Sequence, residues 1–114
     1  MSDEERGLAL ELLVATWLRV ADNGGQVPIV ATLRSAAAEL PRAHPHVSTE
    51  YASHVGDAAV WYLDRAVRRV ADPDRDGTTA GRRALNLGWF ASVASAGEIE
   101  RLFAMAAALN VQDE

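Results

Sequence analysis

The chain has 114 residues, is 49% hydrophobic and 24% charged, and carries a net charge of −5 from 16 acids and 11 bases. That length suffices for one globular domain hiding roughly two-thirds of the surface its unfolded chain exposes. Cysteine is absent, which excludes disulfides, thiol nucleophiles and thiolate metal sites, and no apolar run nears the about 18 residues that a membrane span requires.

The acidic balance repels phosphate backbones, so neither nucleic acid nor a membrane is an expected partner. All the bases are Arg and none is Lys, beside abundant Ala, which points to a GC-rich bacterial genome. The acidic opening MSDEERG is the reverse of a secretory or transit segment, so a cytoplasmic location is expected.

Ser2 and Glu5 have capping-box spacing, which predicts a helix from near Asp3 with acids in its first turn. It runs to Asp22 and stops at Asn23-Gly24-Gly25, a strong C-terminal signal. Leu10, Leu13, Val14, Trp17, Val20 and Ala21 form one wide stripe on it, while Leu8 and Leu12 fall on the opposite side. A helix that is apolar all round is normally sandwiched between neighbours, and in so short a chain a second copy is an expected neighbour.

Pro28 suits the first turn of a second helix, 27–40, whose stripe is Ile29, Leu33, Ala36, Ala37 and Leu40. Pro41 and Pro45 make 41–47 an extended connection. Ser48 then caps a long central helix, 48–71. Tyr51, Val55, Ala59, Tyr62, Leu63, Ala66, Val67 and Val70 share its inner half, whereas Glu50, Ser53, His54, Asp57, Asp64, Arg65 and Arg68 share the outer half. Gly56 costs this helix about 1 kcal/mol relative to Ala, which a close backbone approach would offset. Asp72-Pro73 closes the helix and the loop 72–77 follows.

A fourth helix, 80–93, is two-faced, with Leu85, Trp89 and Val93 on one side and Leu87, Phe90 and Ala91 on another. Ser95 and Glu98 form a second capping box before a fifth helix, 97–111, striped by Ile99, Leu102, Phe103 and Ala106. No run reads as a strand and no linker divides the chain. The expected fold is therefore all-α: a single domain over residues 1–114, a compact bundle of about five helices around the long helix 48–71.

Three features of the sequence could carry function. The loop Asp72-x-Asp74-x-Asp76-Gly77 places oxygens at alternate positions before a Gly, and so resembles the opening half of an EF-hand calcium loop. The resemblance implies Asp72, Asp74, Asp76 and the Thr78 carbonyl as ligands. Its second half departs from the pattern, with Arg83 where the family has a bidentate Glu and with Arg82 beside it.

The second feature is a face of the central helix where Glu50, His54 and Asp57 lie at i, i+4 and i+7, a spacing that could hold a divalent metal. Both groupings belong to the alternative reading, a calcium- or metal-responsive regulator. Nucleophilic catalysis finds no support, because Ser53 and His54 are adjacent on a helix and no hydrolase, phosphate-loop or zinc-protease motif occurs.

The third is a surplus of apolar surface. Helices one, four and five are apolar on more than one side, and Trp61 stands in the charged half of the central helix between Asp57 and Arg65. Such patches usually mark interfaces, and symmetric pairing is the commonest way to cover them. The expectation is a non-enzymatic protein that works through protein contacts, as a homodimer or as a subunit or adaptor of a larger assembly. Trp61, Arg65, Arg68, Leu8 and Leu12 are its expected interface residues, with Trp17 and Trp89 anchoring the apolar packing.

Overall fold

Three serines start the three long helices by the same device, a side-chain oxygen that accepts a backbone N–H otherwise left without a partner. The computed structural model describes residues 2–24, 27–70 and 87–112. It contains α1 (Asp3–Asp22), α2 (Ile29–Ala38), α3 (Leu40–Ala43), α4 (Thr49–Val70), α5 (Leu87–Val93) and α6 (Ala96–Gln112), with no strand among the described residues. The Ser2 hydroxyl accepts from Glu5 N–H at 3.1 Å and the Ser48 hydroxyl from Tyr51 N–H at 3.0 Å. At Ser95 the capping box is reciprocal. Glu98 N–H donates to the Ser95 hydroxyl, and Ser95 N–H donates back to the Glu98 carboxylate, both at 3.2 Å.

α1 ends where the sequence predicts. Gly24 takes φ +63°, a left-handed conformation that glycine adopts without steric cost, and its N–H reaches Ala21 O at 3.1 Å. The connection 41–47 is not extended throughout as expected. Its first residues form the single turn α3, because Pro41 falls in the first helical turn, where its missing N–H and fixed φ are tolerated. Val47 then turns inward and is buried. The predicted helix 80–93 is seen from Leu87 onward, while Gly81 and Leu85 lie outside the described residues.

α4 organises the packing and contacts all five other described helices. Its buried stripe, Ala52, Val55, Ala59, Tyr62, Leu63, Ala66 and Val67, is mostly small or β-branched, so neighbouring helices approach closely. Gly56 marks a close approach of α2. A Cβ placed there would lie 3.2 Å from the Ala37 Cβ of α2 and 3.5 Å from the Arg34 guanidinium. The helix-propensity cost of Gly56 is thus spent on bringing α2 against α4.

α1 packs between α2, α4 and α6. It runs antiparallel to α6, as two cross-links show. The Asn110 amide donates to Arg6 O at 3.0 Å near one end, and the Trp17 and Phe103 rings lie 5.7 Å apart near the other. None of the described helices is long and apolar enough to cross a membrane.

One buried polar atom is left over. Thr16 on α1 is fully buried and its hydroxyl has no hydrogen-bond partner among the described residues. A desolvated hydroxyl of this kind costs stability rather than supplying it. Thr16→Val should therefore be neutral or stabilise by about 1 kcal/mol in urea denaturation, and a clear loss of stability would show that the hydroxyl is satisfied. Gly56→Leu should cost about 2 kcal/mol in the same measurement, because the α2–α4 contact has no room for the added side chain.

Candidate functional site

On an α-helix, residues at i, i+4, i+7 and i+11 share one side, so α4 presents Glu50, His54, Asp57 and Trp61 along a single outward strip. What each side chain does depends on the neighbouring helices. The His54 imidazole contacts the Glu5 carboxylate of α1 and stacks on the Tyr51 ring, with centroids 6.4 Å apart. Asp57 instead accepts from the Arg34 guanidinium of α2. Glu50 stays exposed. The three donors expected to share a metal are thus drawn apart by different partners, and among the described residues no three His, Asp or Glu side chains converge on one point. His54 is 64% exposed on the surface rather than enclosed in a pocket. The other metal candidates, Asp72, Asp74, Asp76 and Thr78, lie outside the described residues.

Further along the strip, Trp61 is 44% exposed. The Arg65 guanidinium lies 4.6 Å from the Trp61 ring centroid, one turn on, and the Tyr62 ring meets Trp61 edge-on at 5.1 Å. A cation over an indole face at this distance is attracted by the ring quadrupole, and a planar guanidinium stacks there better than an ammonium would. Asp57 and Arg65, one turn to either side of Trp61, are engaged by Arg34 of α2 and by the Trp61 ring respectively. Likewise Asp64 accepts from Leu87 N–H of α5 at 3.3 Å instead of serving an intrahelical pair. Arg68 stands exposed one turn beyond Arg65. The result is a half-exposed indole held by packing on a 22-residue helix, with two guanidiniums beside it.

The histidines form a second arrangement, which sequence reasoning missed. All three in the chain contact a glutamate of α1: His44 meets Glu11 at 2.8 Å, His46 meets Glu4 at 2.9 Å, and His54 meets Glu5. These contacts tie α1 to the segment after α3 and to α4. The His44 and His46 rings also meet edge-on, with centroids 6.1 Å apart. Glu5 stands apart from the other two glutamates because it is only 8% exposed.

The apolar surplus also lies elsewhere than expected. Leu8 and Leu12 are buried inside the subunit, since α1 has neighbours on both sides and both leucines turn into the core. They offer no surface to a partner. The exposed apolar side chains of α1 are Val14 and Leu18, at 50% and 58%, with Val111 of α6 at 70%. Between α1 and α6 runs a groove of about 230 Å³, lined by Leu13, Val14, Trp17, Phe103, Ala104 and Ala107, with Glu100 at one side. Helical spacing places Val14 and Leu18 on one side of α1, a register the sequence shows; only the packing reveals that this side faces outward.

Losing the His54 imidazole would leave the Glu5 carboxylate buried without its partner. His54→Ala should cost about 1 kcal/mol, discounted for the exposure of His54, whereas His46→Ala at an exposed pair should stay within about 0.5 kcal/mol. Adding Glu5→Gln to His54→Ala should recover part of the loss in thermal or urea melts. Equal effects of the two single substitutions would show that burial of Glu5 does not matter. No known protein family, curated protein or solved structure matches the chain, so its function has to be read from this surface.

Proposed function

We propose that this chain is a small acidic, non-enzymatic helical protein that acts in the cytoplasm through protein–protein contacts, as a homodimer or as a subunit or adaptor of a larger bacterial assembly. The observation that carries the reading is Trp61, a large aromatic nearly half in water with the Arg65 guanidinium over its ring. Burying an indole stabilises a complex through its large apolar area, and Trp and Arg dominate the energetics of many interfaces. Here both are held on a long helix whose opposite side is packed against five others, so little side-chain or backbone freedom remains to be lost on binding.

The chemistry of the patch also describes a partner. Arg65 and Arg68 favour carboxylates, and the indole favours a shallow apolar recess beside them. Such a complex should weaken as salt rises, because the guanidiniums stand at the surface.

The test compares Trp61→Ala with Val30→Ala, another exposed apolar position, in quantitative cross-linking from the native host. Trp61→Ala should lose the partner at unchanged helicity and cost less than about 1 kcal/mol of stability, and Val30→Ala should keep the partner. A Trp61→Ala chain that retains every partner would remove the patch from the mechanism.

A further inference from the structure

Five large apolar side chains are exposed among the described residues, Val14, Leu18, Val30, Trp61 and Val111. Three of them, Val14, Leu18 and Val111, stand on α1 and α6. On α1 the buried positions Leu8, Leu12, Thr16 and Val20 define the inner side, and at 100° per residue Gly7, Val14 and Leu18 point nearly opposite to it. On α6 the buried positions Ile99, Leu102, Phe103 and Ala106 do the same, leaving Ala104, Ala108 and Val111 outward. Since α1 and α6 lie side by side and antiparallel, their outward sides make one continuous face.

We infer that this outer α1–α6 face is where two copies of the chain join, as a symmetric pair with four helices across the seam. The inference rests on the contact-making reading above but uses a different surface, so the two can fail separately. Area is the first argument. The 17-residue α6 against the 20-residue α1 gives a face about 25 Å long and, at two helix diameters, about 20 Å wide. That is roughly 500 Å² on each copy and roughly 1,000 Å² in total, the size at which a specific interface begins. A second copy fits this extent because it brings an identical helix pair of the same length.

Shape is the second argument. The face carries both a projection and a receptacle. Leu18 stands out from α1, and the groove lined by Val14, Trp17, Phe103, Ala104 and Ala107 opens beside it. A two-fold axis places each copy's Leu18 in the other's groove, as an isologous interface requires. The small residues Gly7, Ala104 and Ala108 let the backbones approach, and the same side carries charge at Glu11, Glu100 and Arg101. Trp61 is exposed on α4, outside this face, so the dimer displays two Trp61–Arg65 patches and binds bivalently.

The experiment measures self-association by sedimentation equilibrium for the full chain and for Leu18→Glu, Val14→Glu, Val30→Glu and Trp61→Ala. The native chain should show twice its 12.3 kDa mass at micromolar concentration. Leu18→Glu and Val14→Glu each bury a charge in the seam and should weaken the dimer by about 100-fold. Both positions are exposed in the subunit, so helicity and melting of the monomer should not change, and circular dichroism checks this. Val30→Glu and Trp61→Ala should leave the dimer intact. A native chain that is monomeric throughout overturns the inference, as does a dimer that survives both seam substitutions or dissociates with Val30→Glu; none of these results bears on capture of a partner by Trp61.

Discussion

The close crossing of α2 and α4 at Gly56 is the constraint on which the rest of the structure depends. With 3.2 Å between a would-be Cβ and the Ala37 Cβ, little room is left for a side chain between the two helices. That spacing sets where α2 can carry Arg34 and therefore where Asp57 finds its partner. It also sets how much of α4 is committed to the core. The small residues Ala52, Ala58, Ala59 and Ala66 on the inner side allow α1, α2 and α6 all to reach the same helix, leaving its outer half to solvent.

The character of that outer half follows from competition among partners. Asp57 and Arg65 stand two turns apart on α4, each one turn from Trp61. Arg34 from α2 takes Asp57, and Arg65 lies over Trp61. The aromatic–cation pair needs only the i,i+4 spacing of α4, whereas the Asp57 pair needs α2 beside it. Similarly, Glu5 draws His54 away from Asp57, so the carboxylates and the imidazole that share a side of α4 do not share a ligand position.

α1 serves two surfaces at once. Its inner side is core, its flank carries Glu4, Glu5 and Glu11 to the three histidines, and its outer side exposes Val14 and Leu18. A helix with apolar groups all round normally lies between neighbours. α2, α4 and α6 account for Leu8 and Leu12, but not for the outward stripe one turn further on. The surplus of apolar surface is therefore real, although it is borne by Val14 and Leu18 and not by the leucines that the helical wheel singled out.

By itself the sequence determined what local physics decides. The serine caps, the stop at Asn23-Gly24, the all-α class and the inner stripe of α4 all follow from spacing and from backbone groups that need partners close in sequence. It also marked Trp61 as out of place, because one aromatic among charges is visible on a wheel without coordinates. What the tertiary structure decided were choices between equally available partners. Pro41 makes a turn rather than an extended link, Leu8 and Leu12 go inward rather than outward, and each histidine finds a glutamate of α1. Each of these depends on which helix lies beside which. A periodic pattern gives the direction of a side chain about its own axis but carries no information on the neighbour it will meet there.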